Sequence, residues 1–356
     1  MPLLGVVVAF ILYVLVQFFL GITAGLIALF NGIRIEGGSF FGAPAPDLAV
    51  QLIIIAMMIP VVLFTVRFVH RRRAGTLLSV EGRLRWPWLF VCAGVAVVSV
   101  ALSITSVALL FGISRPDAAF VGEWVGAREF AVGMLVVVLL VPFQASAEEI
   151  ALRGFLMQSV GSYGAPRGEL LAAPKRLEWR GPARMPVVAA IVTAVVRASR
   201  WPPLHQFLRT PILAIVVSGS VFALLHPYSA WAMADVALFG VTVAWLAWYT
   251  GGLEAPIALH VVHNLAAFGL SAYEGTLEQR ASSGSWQGLA GTAIEMALFC
   301  AVVVILARRM RLRRTVADKE HDDSPPPALP PTPAGPPQQG QPRFRPDQEP
   351  HHPPPR

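Results

Sequence analysis

Residues 130–157 read FAVGMLVVVLLVPFQASAEEIALRGFLM, and this stretch decides the class of fold. No ionisable side chain precedes Glu148 in it, and the run is long enough to cross roughly 30 Å of hydrocarbon as a helix. The ionisable residues Glu148, Glu149 and Arg153 come only towards its end. An apolar run of this length predicts a transmembrane helix.

Seven further apolar runs accompany this one, so we expect an all-α polytopic membrane protein with about eight transmembrane helices. The composition agrees, because 55% of the 356 residues are hydrophobic and only 14% are charged, against about 25% charged in soluble domains. These values exclude an ordinary soluble enzyme and a disordered chain. A ninth run, residues 185–196, is too short to cross and is expected to lie in the interface or to re-enter. The eight long runs are residues 3–30, 48–69, 87–113, 130–157, 210–226, 230–249, 254–270 and 288–307.

The basic residues, which give the chain a net charge of +7, lie beside the apolar runs. They concentrate in residues 70–86, in residues 158–209 and after residue 307, whereas the other loops hold only Arg34, Arg115, Arg128 and Arg280. By the positive-inside rule, this asymmetry predicts an integral membrane protein with both termini in the cytoplasm, in the plasma membrane if the source is prokaryotic. Because topology accounts for the arginines, we expect no nucleic-acid partner.

The chain divides into three parts. Residues 1–127 are expected to form three N-terminal transmembrane helices, and residues 128–308 a membrane core with a basic cytoplasmic insertion at about 158–209. Residues 309–356 are expected to form a disordered cytoplasmic tail, because their composition from residue 324 onwards is rich in proline. An inert tail is favoured over one that binds an SH3-like partner.

Ionisable side chains inside membrane helices cost roughly 2.5–3.5 kcal/mol at mid-bilayer and are therefore functional candidates. Glu149 and Arg153 in the fourth run are four residues apart, so they are expected to meet on one helix face. Glu148 points away from that pair, and an unpaired, partly desolvated carboxylate suits a general base. The alternative interpretation is a pair of carboxylates at the headgroup boundary without a catalytic role.

Two further polar clusters lie on later runs. Phe222 and His226 close the fifth run, although a lone interfacial histidine is more often structural. His260, His263 and Asn264 lie close together in the seventh run, and His260 and Asn264 share a helix face. The single acidic residues of the later runs are interpreted as structural; these are Asp235, Glu254 and Glu295.

The residue types in these clusters predict a hydrolase-like intramembrane site. A glutamate with imidazoles can activate water, either by general-base catalysis or through a metal ion. An amide or imidazole N–H can stabilise an oxyanion. No glycine-rich phosphate loop precedes a helix, so phosphate chemistry is not indicated.

Three motifs follow one another in the order Glu148-Glu149-x-x-x-Arg153, Phe222-x-x-x-His226 and His260-x-x-x-Asn264. This order resembles the pattern of the CPBP family, the CAAX protease and bacteriocin-processing family of membrane endopeptidases, also called Abi. The residues Gly154-Phe155-Leu156 and the stretch WYTGGLEAPI at 248–257 resemble the family as well. The resemblance covers roughly residues 130–270.

The resemblance implies an eight-helix fold around a membrane-embedded chamber. It also implies an endopeptidase that cleaves a membrane-anchored or lipid-modified protein or peptide, as in the removal of a CAAX-like C-terminal tripeptide. Zn²⁺ is a candidate cofactor with Glu148, His226, His260 and Asn264 as candidate ligands, but the same set works without a metal. The implied roles are water activation for Glu148 and His226, oxyanion stabilisation or metal binding for His260 and Asn264, bracing for Glu149 and Arg153, and support from Phe222 and His263.

Two features depart from the family pattern. About 70 residues separate Arg153 from Phe222. In the expected topology His226 ends its helix near the outer side, whereas Glu148 and His260 lie towards the cytoplasmic side. Either the helices bend at Pro227 or residues 185–196 re-enter the membrane.

Two other functional classes stay open. One is a non-catalytic immunity or scaffold protein of the same fold, and the other is a proton-coupled transporter that uses the polar side chains as a relay. The intact set of motifs favours the enzyme, because a scaffold needs none of these side chains. A proton relay requires neither Asn264 nor the brace of Glu149 and Arg153.

Overall fold

The computed structural model describes residues 2–35, 39–164, 206–226, 228, 230–277 and 284–316. These residues are almost entirely helical, which confirms the predicted all-α class. Numbered in chain order over the described residues, the α-helices are α1 (Pro2–Phe30), α2 (Pro44–Ala56), α3 (Met58–Phe64), α4 (Trp86–Ser114), α5 (Ala127–Glu149), α6 (Met157–Gly161), α7 (Ile212–Leu224), α8 (Ala230–Thr250), α9 (Glu254–Glu274) and α10 (Trp286–Arg309).

Two of the long spans contain π-helical turns. Helices α2 and α3 continue through a π-helical turn, Thr65–Val69, to form one span, Pro44–Val69. Helices α5 and α6 are joined in the same way by Ile150–Leu156, so the span Ala127–Gly161 contains 35 residues. The first sequence motif, Glu148-Glu149-x-x-x-Arg153, begins at the end of α5 and continues into this second π-helical turn.

Seven helices in the described part of the chain are long and apolar enough to cross a membrane. The protein therefore has the helix lengths and composition of a polytopic membrane protein. The expectation of an eighth long span at residues 210–226 is wrong, because this run forms only the 13-residue helix α7. That helix is about 20 Å long, well short of the hydrocarbon thickness. Proline bounds it, with Pro211 at its N-cap and Pro227 shortly after its end, and proline cannot continue a helix.

Several sequence predictions fall outside the described residues. The short run 185–196 and most of the predicted basic insertion lie between residues 164 and 206, and most of the tail lies beyond residue 316. The domain boundaries stay predictions.

Helices α4, α8, α9 and α10 enclose the largest buried cluster, to which α7 adds Phe222. Helix α5 packs between α2 and α9. Helices α7 and α8 cross closely at Gly219 and Gly240, where a Cβ on Gly240 would come within 3.0 Å of the Gly219 carbonyl oxygen. This crossing brings Phe222 and the Gly240 carbonyl up to the end of α5.

The loops group at two opposite ends of the bundle. At one end, Leu253 donates its N–H to the Leu78 carbonyl at 2.8 Å. Beside it, Arg85 makes a buried two-pronged ion pair with Glu254, with nitrogen–oxygen distances of 2.9 and 2.7 Å. Arg85 also donates to the Arg313 carbonyl at 2.9 Å, which ties the chain after α10 to the start of α9. Glu254 therefore links the loop before α4 to α9 through a buried ion pair.

At the opposite end, two hydrogen bonds join the loop before α5 to the end of α9 and the start of α10 to the end of α4. The Val125 N–H donates to the Tyr273 carbonyl at 3.0 Å. The Gln287 amide donates to the Ser114 hydroxyl at 2.7 Å. The residues of the three sequence motifs lie between these two ends of the bundle.

Candidate active site

The first motif straddles a change of helix type. Glu148 and Glu149 end α5, and Arg153 lies in the π-helical turn that follows. Such turns widen the helix locally and occur often at functional sites. Arg153 and Glu149 still meet, with Arg153 Nη1 3.0 Å from Glu149 Oε1, and both side chains are completely buried. The pair predicted from the spacing is therefore present.

Glu149 connects this pair to the third motif. Its Oε1 accepts a second hydrogen bond, from Nδ1 of His260 on α9, at 2.7 Å. Arg153 donates its Nη2 to the Gly240 carbonyl at 3.1 Å, and its guanidinium lies over the Phe222 ring at 4.4 Å. The buried charge of Glu149 is thus balanced by Arg153. Glu149 itself contacts α9, and Arg153 contacts α7 and α8.

His260 lies between two carboxylates. Because Nδ1 faces the acceptor-only carboxylate of Glu149, this nitrogen carries a hydrogen. The other ring nitrogen, Nε2, is 3.5 Å from Oε2 of Glu148. Oε2 of Glu148 is buried and has no hydrogen-bond partner among the described residues. Glu148 and the Nε2 edge of His260 therefore face each other across a gap that is longer than a good hydrogen bond.

Gln144 completes this side of the site. It lies one helical turn before Glu148 on α5 and donates its Nε2 to Glu148 Oε1 at 2.8 Å. Its Oε1 accepts from Nδ2 of Asn264 on α9 at 3.1 Å. The three sequence motifs do not include Gln144, although a polar side chain four residues before Glu148 in an apolar run is a usable signal.

Two phenylalanines line the site with apolar surface. The rings of Phe222 and Phe239 meet the His260 ring edge-on, with centroid distances of 5.7 and 5.1 Å. Both phenylalanines are buried. Phe239 was not singled out in the sequence, because one aromatic residue in an apolar helix is ordinary. Together they exclude solvent from one side of the imidazole.

His226 lies further away than its place in the second motif suggests. Its Nδ1 is 2.8 Å from the Phe222 carbonyl, and its ring packs on the Phe222 ring at 4.7 Å. Within the described part of the chain it makes no hydrogen bond with Glu148 or His260. Phe222 thus separates His226 from the pair of carboxylates.

His263 faces a different partner. Its Nδ1 is 3.0 and 3.2 Å from the two carboxylate oxygens of Glu295 on α10. Its ring is 5.2 Å from Phe239, which therefore contacts both His260 and His263. Asp235 on α8 lies close to Thr292, His263 and Glu295. These residues form a second polar cluster beside the first, so Asp235 and Glu295 are not isolated.

The predicted zinc ligands do not converge. In the described residues, no group of three or more His, Cys, Asp and Glu side chains is placed to hold a metal ion. Of the candidates, Glu148 and His260 approach each other, Asn264 turns its amide nitrogen to Gln144, and His226 lies behind Phe222. This donor set does not fit a zinc site, and the metalloprotease prediction is not supported.

Comparisons with known proteins agree with the motif pattern. Residues 128–266 match the family described as type II CAAX prenyl endopeptidase Rce1-like. An uncharacterized protein of Bacillus subtilis (strain 168), YyaK, is 21% identical over 229 residues, which cover 62% of this chain and 60% of that protein. The chain thus matches less than two thirds of the length of this relative. No solved structure matches the chain. The three motifs, from Glu148 to Asn264, all lie inside the matched range, so residues 128–266 carry a type II CAAX prenyl endopeptidase Rce1-like domain.

Proposed function

We propose that the protein is an intramembrane endopeptidase that hydrolyses a peptide bond of a membrane-anchored or lipid-modified, CAAX-like protein or peptide. The observation that carries this proposal is the series Glu149, His260 and Glu148, in which one imidazole lies between two carboxylates inside an apolar helix bundle. Burying such an arrangement in a membrane helix bundle costs free energy, so its presence indicates a function. It supplies a base and a polarised imidazole at one point.

In the proposed mechanism, Glu148 is the general base. Its Oε2 takes a proton from the attacking water, the oxygen adds to the scissile carbonyl, and Glu148 returns the proton to the leaving nitrogen. The hydrogens of the water thus end on the new carboxyl group and the new amine. Glu149 orients His260 by accepting a hydrogen bond from its Nδ1. Arg153 balances the buried negative charge of Glu149.

The oxyanion is proposed to be stabilised by groups on α9. Asn264 uses one hydrogen of its Nδ2 with Gln144 and has a second N–H to donate. Because Glu149 uses the Nδ1–H of His260, that residue can donate from Nε2, 3.5 Å from Glu148 Oε2, only as an imidazolium. Donors that are already oriented in a water-poor site stabilise a developing negative charge more than they would in water. Among the described residues His226 has no hydrogen bond with Glu148, and the His226→Ala variant in the same assay tests whether it contributes to water activation.

The proposed substrate class follows from where the site lies. Glu148, Glu149, Arg153 and His260 are all buried within helices that have the length and apolarity to span a bilayer. A peptide reaches such a site most readily when it is anchored in the same membrane. No step of this mechanism passes through a metal ion.

The test is cleavage of quenched, membrane-anchored peptides by the purified protein in liposomes. Wild type is compared with Glu148→Gln, which keeps the size of the side chain and removes the base, each with and without a tight zinc chelator. Gln287→Met is the matched control, since Gln287 is a buried amide far from the site. We expect Glu148→Gln to lower kcat at least about a hundredfold and the chelator to have no effect. A Glu148→Gln variant as active as wild type would remove Glu148 from the mechanism.

A proton-coupled transporter is the second candidate, and one observation favours it. Asp235, His263, Thr292 and Glu295 bring titratable groups of α8, α9 and α10 together next to the first site. Chains of such groups carry protons in transporters. Proton uptake into vesicles that depends on Asp235 and not on Glu148 would favour the transporter over the endopeptidase.

A further inference from the structure

Gln144 joins the two chemical halves of the proposed site with a single amide group. Its nitrogen contacts Glu148 on its own helix at 2.8 Å, and its oxygen contacts Asn264 on α9 at 3.1 Å. Only 4% of Gln144 and 8% of Glu148 is exposed. Bulk water therefore has little access to replace either hydrogen bond if the side chain is lost.

The chemistry of the partners fixes the direction of both hydrogen bonds. An ionised carboxylate only accepts hydrogen bonds, so Gln144 must present its nitrogen to Glu148. Its oxygen then necessarily faces Asn264, and Asn264 must turn its own nitrogen towards Gln144. The charge on Glu148 thus sets the orientation of an amide on a different helix.

We propose that Gln144 is a positioning residue that acts on Glu148 and Asn264 together, an inference that rests on the proposed endopeptidase function. By occupying Oε1 of Glu148, it leaves Oε2 as the oxygen that takes the proton from water. By accepting a hydrogen bond from Asn264, Gln144 holds the Asn264 amide nitrogen in the site. The second N–H of Asn264 then remains available for the oxyanion. Because the proton lands on Oε2, Oε1 remains an acceptor and both orientations persist through the reaction.

The first experiment measures kcat and KM for Gln144→Met, which has a similar size and no amide. Without Gln144, Oε1 of Glu148 loses its donor and Asn264 is free to rotate its amide. We expect kcat to fall by tenfold or more, with KM within about threefold of wild type. Gln287→Met loses a buried amide elsewhere and is expected to keep wild-type kcat. Wild-type kcat in Gln144→Met would overturn the proposal.

The second experiment asks whether Gln144 acts through Asn264. Gln144→Met is introduced into wild type and into Asn264→Ala, and the loss in kcat is compared between the two backgrounds. We expect a clearly smaller loss in the Asn264→Ala background, because one of the two groups that Gln144 positions is already absent. Equal losses in both backgrounds would show that Gln144 does not orient Asn264 and would overturn this part of the proposal.

A further variant covers the case in which Gln144→Met does not fold, as judged by its yield and melting temperature beside Gln287→Met. Gln144→Asn keeps a buried amide but is one methylene shorter, so it cannot reach both Glu148 and Asn264. A lower kcat with an unchanged KM is expected, and wild-type kcat would contradict the proposal. If wild type itself cleaves no peptide, the endopeptidase proposal fails first. If wild type is active and the Gln144 variants have the same kcat, only this inference is refuted.

Discussion

At the scale of single residues, Arg153 does more for the site than neutralise one carboxylate. It pairs with Glu149, donates to a backbone carbonyl of α8 and stacks on Phe222. Its side chain is completely buried. Removing it leaves the buried carboxylate of Glu149 with the His260 imidazole as its remaining partner, and an unbalanced buried charge is costly.

We therefore expect Arg153→Met to lower the free energy of unfolding by about 3–5 kcal/mol, the usual cost of breaking a buried ion pair. The double variant Glu149→Gln with Arg153→Met should be more stable than Arg153→Met alone, because it removes the stranded charge as well. Thermal unfolding in detergent measures both. A double variant less stable than either single variant would show that the pair is not coupled in this way.

The same residues mark the limit of what the sequence predicts. The contact between Glu149 and Arg153 follows from helical spacing alone, and it is present. The contact between Glu149 and His260 joins residues 111 positions apart, and it depends on how α5 and α9 cross. For the same reason, the spacing of the second motif places Phe222 and His226 on one face but does not reveal that Phe222 lies between His226 and the carboxylates.

At the scale of elements, the crossing of α7 and α8 sets the position of the Arg153 side chain. Gly240 provides the carbonyl that accepts from Arg153 and lies against Gly219 and Phe222. The length of α7 was not predictable from apolarity alone, because residues 210–226 are apolar throughout much of their length. The helix is shorter than the run because its ends are set by Pro211 and by the turn at Leu225 and His226.

Gly240→Ala tests this crossing. The new Cβ would meet a Phe222 ring carbon at 2.9 Å and the Gly219 carbonyl oxygen at 3.0 Å, so α7 has to move away from α8. We expect a loss of stability of about 1–3 kcal/mol from overpacking, together with reduced peptide cleavage.

Gly94→Ala on α4 is the matched control for this substitution. A Cβ there has no neighbour within 4 Å, and alanine favours a helix over glycine by up to about 1 kcal/mol. Gly94→Ala should therefore be as stable as wild type or slightly more so. Equal effects of the two substitutions would mean that the close crossing does not position the site.

At the scale of the whole molecule, the two ends of the bundle differ in the chemistry of their loops. Arg85 bonds both Glu254 and the Arg313 carbonyl, so the loop of residues 70–86 and the chain after α10 lie at one end. Both segments are rich in arginine, which the positive-inside rule places in the cytoplasm. Helix α9 starts at this end, and His260 lies six residues along it, a rise of about 9 Å. The proposed catalytic residues are therefore expected nearer the cytoplasmic side.

Cysteine labelling in intact cells tests this sidedness. The Arg83 side chain is 80% exposed at the arginine-rich end, and Asp117 is exposed in the loop after α4 at the opposite end. We expect Asp117→Cys to react with a membrane-impermeant maleimide in intact cells, and Arg83→Cys to react only after the membrane is opened. The unsubstituted protein is the control, since Cys92 is fully buried and Cys300 partly so. The reverse labelling pattern would leave the packing of the helices unchanged but would place the proposed site nearer the outer face. The substrate would then have to be an exported, membrane-anchored peptide rather than a cytoplasmic one.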